Sequence, residues 1–278
     1  MCEPLVLLPV ERWHELKAVF RGNWPRGISG YGTLDIEEQI LKNGADYGFK
    51  AYVAYGDLTN GLVGIHLKGK FYEVVIQPIK EDITDLIKAV RATKLIDWRR
   101  PLQFPFAPQS ILDAVRGILL EKKVFIKDMA TTDTFYIDED APYFNVTLPP
   151  GFTFKLMTDE YAQISNDTWP HKHSGSIWYY HLLIKAKLGY GLFKDDSLVA
   201  WCYVKETGAL GHLYTLEEHR RKGYGQLVLQ LISDTLRREG KILFAFCVVG
   251  NEPARRLYQK LGFILSEEVH WCDVKPLE

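Results

Sequence analysis

The heptapeptide "WPRGISG", Trp24–Gly30, returns as "WPHKHSG", Trp169–Gly175, with its tryptophan, proline, serine and glycine all displaced by 145 residues. In a chain of 278 residues this is just over half the length, which leaves room for two copies of one fold. Two domains of about 140 residues would each have an ordinary size. The order of elements agrees. In the first half "LLPVERWHELKAVF" reads as a strand then a helix, "TLDIEEQILKNG" as a helix, and "FKAYVAYGD", "LVGIHLKG" and "KFYEVVIQP" as three strands. The second half has a helix around "DEYAQISNDTW", then "SGSIWYYHLLIKAKLG", with Ser174 as its expected N-cap and Gly189 as its stop. Three strands follow: Tyr190–Lys194, "LVAWCYVK" and "ALGHLYT". Gly44 precedes Gly189 by the same 145 residues, and both copies of the heptapeptide read as a helix-to-helix corner. Acids and three prolines gather in "IDEDAPYFNVTLPPGF", so the expected division is a domain over 1–140, a linker over 141–151 and a domain over 152–278.

Composition removes several classes of function. The balance of 34 basic against 35 acidic residues gives no electrostatic footprint for nucleic acid or an anionic membrane. No apolar run reaches membrane-spanning length, and "MCEPLVLLPVERW" has the look of neither a signal peptide nor a transit peptide. Cys2, Cys202, Cys247 and Cys272 show no paired spacing and read as reduced thiols. The expectation is a cytosolic protein, with a mitochondrial location left open. His171 and His173 lack the companions a zinc site needs, so no metal is expected.

Two stretches of the second half carry chemistry. In "YTLEEHRRKGYGQLVLQL" the run Arg220, Arg221, Lys222, Gly223, Tyr224, Gly225 lies between a strand and a helix whose apolar face is Leu227, Val228, Leu231, Ile232 and Leu236. Glycines at a helix entrance let backbone N–H groups converge on an anion, and the helix dipole adds its positive end. Phosphate or pyrophosphate is the expected guest. Neither the dinucleotide fingerprint nor the Walker pattern is present. Further on, "GNEPARRLYQKLGF" places Asn251 as N-cap and Pro253 in the first turn, with Ala254, Leu257, Tyr258 and Leu261 on one face before Gly262.

Together the two stretches resemble the GCN5-related N-acetyltransferase (GNAT) superfamily. Arg220, Gly223 and Gly225 match its Arg/Gln-x-x-Gly-x-Gly/Ala loop, and Asn251, Ala254, Tyr258, Gly262 and Phe263 match its Asn-x-x-Ala-x-x-x-Tyr-x-x-x-Gly-Phe helix. "WCYVKETGALGHLYTLEEHRRKGYG" is most similar to the glycine N-acyltransferase and FR47-like group, whose N-terminal half resembles a degenerate copy of the fold. The resemblance implies an α/β protein of tandem GNAT-type folds, each a mixed, mostly antiparallel sheet flanked by helices, with the first copy degenerate. It implies acetyl-coenzyme A or another acyl-coenzyme A as co-substrate, and a small amine or amino acid as acceptor. The backbone amides of Arg221–Gln226 would hold the pyrophosphate, with Arg220 and Lys222 in the same loop. Leu213, Tyr214 and Thr215, on a strand that splays from its neighbour, would hold the pantetheine arm and the thioester oxygen. Tyr258 would hydrogen-bond or protonate the leaving sulfur, and a phenol's pKa of about 10 against about 8.5 for a thiol permits it. Asn251 would contact the pantetheine arm or fix the helix start.

The general base is unassigned. Ala209 and Gly211 stand where related proteins place a glutamate or a histidine, and strand alternation is expected to turn His212 to the other face. Glu206, Glu217, His181, a water chain or an acceptor that arrives already deprotonated remain open. Displacing the loop by 145 residues puts Val75, Pro78 and Lys80 under Arg220, Gly223 and Gly225, and Asp113 under Tyr258, so the first half lacks the phosphate loop. It is expected to supply an interface and part of the acceptor pocket. Two readings follow: an acyl-coenzyme A-dependent N-acyltransferase, or a module that binds acyl-coenzyme A without catalysis.

Overall fold

The computed structural model describes residues 2–277. Its first half runs β1 (Leu5–Leu7), α1 (Trp13–Arg21), α2 (Ile28–Lys42), β2 (Lys50–Ala54), β3 (Leu62–Lys68), β4 (Phe71–Gln77), α3 (Thr84–Ala92), β5 (Leu102–Pro108), α4 (Gln109–Glu121) and β6 (Val124–Tyr136). The second repeats that order: β7 (Phe152–Leu156), α5 (Ala162–Asp167), α6 (Ile177–Lys185), β8 (Gly189–Lys194), β9 (Ser197–Val204), β10 (Leu210–Thr215), α7 (Tyr224–Arg238), β11 (Phe244–Val248), α8 (Glu252–Lys260) and β12 (Ile264–Pro276). The fold is a tandem α/β duplication, and the two heptapeptides occupy the α1–α2 and α5–α6 corners.

The expected helix ends differ in the second copy. Ser176, not Ser174, precedes α6, and its hydroxyl accepts from His173 N at 3.1 Å. Gly189 lies in β8, where a Cβ would meet the Tyr203 ring at 2.6 Å, so it is a packing glycine and not a helix stop. Lys187, at φ +61°, takes the left-handed position that Gly44, at φ +67°, fills after α2. A left-handed residue commonly ends a helix, and here a lysine supplies it.

All twelve strands form one sheet in the order β1-β2-β3-β4-β5-β12-β6-β11-β10-β9-β8-β7. The closing strands are exchanged between the halves. β6 pairs with β11, from Phe244↔Tyr136 to Val248↔Thr132, while β12 pairs with β5, and β6 and β12 run side by side at the centre. The segment between β6 and β7 is tied down by α7: Phe144 N and Asn145 N donate to Asp234 at 2.9 and 2.8 Å.

The core of the second half draws Ile36, Ile40 and Ala45 from the first half onto Tyr179, Leu183, Trp201, Val228 and Ile232. Each buried isoleucine, leucine or valine among them contributes about 1.5–3 kcal/mol on leaving water. The α2 backbone lies directly on the turn between β9 and β10, where a Cβ on Gly208 would fall 2.7 Å from Gly32 Cα. The first half is thereby set against the start of β10, which matters for the site.

Candidate active site

β10 and β11 run parallel but share a single register pair, Leu210↔Ala245. Beyond it they diverge, leaving the β11-facing edge of Leu213, Tyr214 and Thr215 without a strand partner. On its other side β10 pairs with β9 through a bulge between Gly211 and Tyr214. In the first half the equivalent parting of β4 and β5 is bridged: the Gln77 side-chain amide donates to Phe106 O at 3.0 Å. Asp113 on α4 is exposed and accepts from Gln109 Nε2, so nothing there corresponds to a buried phenol.

The loop after β10 forms a cradle of backbone amides at the entrance to α7. Arg221 (φ +59°) and Gly223 (φ +84°) turn the chain into α7, which has no side-chain cap. The first amide of that turn with a backbone acceptor is Leu227 N, bonded to Gly223 O, and the N–H groups of Tyr224, Gly225 and Gln226 have no partner among the described residues. Orphan donors of this kind at a helix N-terminus favour an anion. A Cβ on Gly225 would point at Thr215 Oγ1 (3.6 Å) and Leu213 Cδ2 (3.9 Å), so the missing side chain leaves space between α7 and the free edge of β10.

The side chains around the cradle take different directions. Arg220 folds back, donating to Thr215 O at 3.2 Å and the Tyr214 hydroxyl at 3.1 Å. Lys222 caps Glu218 O at 2.9 Å, while Arg221 is exposed. The Tyr224 ring packs on Phe152 with centroids 5.2 Å apart, away from β10, and leaves only its amide for a ligand. Gln226 accepts from Lys260 at 2.8 Å, which ties α7 to α8. Asn251 fixes the helix start, its side chain accepting from Ala254 N at 3.3 Å.

Tyr258 is buried, with its ring stacked on Phe135 at 5.6 Å. Burial first, and then the neighbouring thiols Cys202 and Cys247, push its hydroxyl well above the ordinary phenol range. It is therefore a protonated donor at neutral pH. Burial likewise pushes the Cys202 thiol up to about 12, so this cysteine is a neutral part of the wall. With Cys202 on β9 and Cys247 on β11, Tyr258 flanks the gap from one face of the sheet.

The opposite face corrects one expectation. His212 is not turned away from Gly211: the bulge and its left-handed backbone (φ +50°) keep it on the side of Trp201, Tyr203 and Tyr214, stacked on Tyr203 at 6.0 Å. Simple alternation fails because the bulge inserts an extra residue. Its ring nitrogens meet the Tyr180 hydroxyl (Nδ1, 2.7 Å) and Thr168 Oγ1 (Nε2, 3.2 Å). Burial and the charge of Lys205 hold His212 down at about 3, so it is a neutral link between two hydroxyls.

The other base candidates are dispersed. Ala209 is buried with Ile28 of the first half and Ile242 and Phe244 of the second, so apolar side chains from both halves wall off this position. His181 is exposed and pairs with Asp159 at 2.5 Å, and Glu217 is exposed beside Arg220 at 3.5 Å. Glu206 is buried in a network between the halves that pattern reading missed. Lys68 bridges Glu206 (2.7 Å) and Glu73 (2.8 Å), His66 Nε2 meets Glu73 at 2.9 Å, and the Tyr179 hydroxyl donates to Glu206. Burial tends to raise Glu73, but the Lys68 charge and the His66 hydrogen bond outweigh it and hold the carboxyl at about 2. A carboxylate so engaged is a poor proton acceptor.

Residues 189–272 match the family model described as FR47-like protein. The second half is thus similar to FR47-like proteins, and the whole chain has the fold of a tandem GNAT protein. Human glycine N-acyltransferase-like protein 1 is 19% identical over 257 residues, spanning 78% of this chain and 84% of that protein. The X-ray structure of a Drosophila protein superposes with a TM-score of 0.84 at 19% identity, covering 99% of both chains. A tandem GNAT protein from the clavulanic acid biosynthesis pathway gives a TM-score of 0.57 at 16% identity, covering 97% of both. The likeness to these two structures is one of fold. No helix among the described residues is long and apolar enough to cross a membrane.

Proposed function

We propose that the second half binds an acyl-coenzyme A and transfers its acyl group to the amine of a small molecule or amino acid, by direct attack within a ternary complex. The observation that carries this reading is the set of orphan amides at Tyr224, Gly225 and Gln226 beside the unpaired edge of β10. Those amides fit a pyrophosphate, and the edge of Leu213–Thr215 fits an extended pantetheine arm that bonds as a missing strand would. Amides on that edge also suit the thioester oxygen as it gains charge, since fixed donors there need no reorganisation. Tyr258 is the donor to the departing sulfur. Human glycine N-acyltransferase-like protein 1, similar over most of the chain, supports a small amine or amino acid as acceptor. In this reading the first half, which has no cradle, walls the acceptor side.

The apolar wall around Ala209 favours a second reading, a module that keeps the acyl-coenzyme A groove but has lost turnover. One experiment separates the two. The protein is titrated calorimetrically with coenzyme A, acetyl-coenzyme A and an aryl-acyl-coenzyme A, and thiol release is then followed with a panel of amines. Binding followed by amine-dependent release supports transfer. Binding with no release from any thioester supports the second reading, and no binding removes both.

A further inference from the structure

Trp201 and Tyr203 on β9 face His212, and alternation carries Lys205, two residues on, to the same side. Lys205 N donates to Ala209 O at 2.9 Å, so the lysine sits beside Ala209 where β9 turns into β10. Its stem then lies over Gly211: a Cβ there would come within 2.9 Å of both Lys205 Cδ and Cε. Of the two positions expected to carry a base, one is walled by apolar groups and the other is roofed by a lysine.

The lysine is also electrically uncommitted. Its Nζ is 5.7 Å from the centre of the Trp169 ring, and it makes no hydrogen bond or ion pair among the described residues. The adjacent carboxylate, Glu206, is already occupied by Lys68 and Tyr179. The titratable groups that face this region are Glu206 and His212 from the turn and β10, Lys68 and Glu73 from β3 and β4, His171 from the α5–α6 corner, and Tyr179 and Tyr180 from α6. Burial, aided by the Lys68 charge, lowers Lys205 below the ordinary lysine value, and the opposing pull of Glu206 and Glu73 does not restore it. Tyr258 contacts the neighbourhood of Cys202, whose side chain points to the other face of β9, so the acid and the lysine flank the gap from opposite faces.

We propose that Lys205 is the proton acceptor of the transfer, standing in place of a side chain on β10. The inference rests on the acyl-transfer reading above. The acceptor amine enters as the free base, and its nitrogen bonds to the thioester carbonyl carbon as the C=O π pair moves onto oxygen. Its surplus proton passes to the Lys205 amine. The oxygen pair then re-forms the carbonyl as the C–S bond breaks with its electron pair on sulfur, and the thiolate takes the Tyr258 proton. Amide and thiol leave, and solvent returns one proton to the phenolate while removing one from the lysine.

The test compares Lys205→Arg, Lys205→Met and Lys205→Ala with the wild type. Arginine keeps the charge but cannot accept a proton at working pH, so Lys205→Arg and Lys205→Met should both lose about 100-fold in kcat/KM, with coenzyme A affinity unchanged. The wild-type rate should rise to an inflection below the ordinary lysine pKa, which the variants lose. Added small primary amines that are not themselves acylated should restore Lys205→Ala in the order of their basicity. Full activity in Lys205→Arg, or a loss that no added amine restores, overturns the proposal. If the wild type releases no thiol with any acceptor, the acyl-transfer reading fails instead. The lysine is then judged by NMR titration of 13C-methylated protein, in which a Lys205 pKa at or above that of the surface lysines overturns it independently.

Discussion

Replacing Gly225 with alanine should separate ligand binding from folding. The added Cβ meets its nearest neighbours at 3.6 Å (Thr215 Oγ1) and 3.9 Å (Leu213 Cδ2), which is ordinary van der Waals contact, and φ at this residue is not positive. The ligand-free protein therefore has room for the methyl group. Alanine is favoured over glycine within a helix by up to about 1 kcal/mol, so the melting temperature should hold or rise by about 2 °C. The methyl group nevertheless occupies the space beside the orphan amides, and coenzyme A affinity should fall at least tenfold, or about 1.4 kcal/mol. Gly223→Ala is the control for backbone strain. Nothing lies within 4 Å of its Cβ, but φ is +84°, and the left-handed conformation should cost about 1–2 kcal/mol. Differential scanning calorimetry and isothermal titration on both variants give the comparison. If Gly225→Ala binds coenzyme A as the wild type does, the cradle is not where the pyrophosphate sits.

Four other outcomes are expected. Tyr258→Phe should lower turnover about 100-fold while changing acyl-coenzyme A affinity little, as measured by steady-state kinetics beside calorimetry. Lys68→Met strands Glu73 and Glu206 in the interior and should cost about 3–5 kcal/mol in chemical denaturation at neutral pH. Glu73 also sets a pH dependence: its folded pKa of about 2 lies below the unfolded value near 4.5, so its stabilisation is complete above about 4.5 and is lost as pH falls toward 2. The Lys68→Met variant should lack that acid-sensitive share, which urea unfolding across the interval would reveal. Ala209→Glu should not create a base, because its carboxylate would be buried against Ile28, Ile242 and Phe244; a loss of about 3 kcal/mol in stability without gain in rate is expected.

Local physics made much of this architecture readable. Amphipathic spacing fixed α7, with Val228, Ile232 and Leu236 buried as their pattern requires, and Asn251 caps α8 as its residue type favours. The turn into α7 was legible because glycine takes φ +84° at residue 223 without strain. What escaped notice is non-local. The exchange of β6 and β12 leaves each strand's own pattern unchanged, since either neighbour buries the same faces. Lys68, Glu73 and Glu206 come together across 138 residues of chain, and no spacing rule links them. His212 departs from strand alternation because the bulge beside it has no signature in the residue pattern. Lys205 was within reach, because "WCYVK" puts it in phase with Trp201 and Tyr203, but its proximity to Gly211 depends on how the turn folds back. The 145-residue displacement holds at the two corners, whereas Gly44 and Gly189 prove to have different structural roles.

The central claim is transfer of an acyl group from coenzyme A by the second half of the chain. Its most direct test is continuous measurement of thiol release from acyl-coenzyme A with a panel of small amines and amino acids, on the wild type and on Gly225→Ala together. Many turnovers per protein molecule are expected, strictly dependent on one class of amine and strongly reduced in the variant at limiting acyl-coenzyme A. Release that is equal in both proteins, or absent from the wild type although acyl-coenzyme A binds, would contradict it.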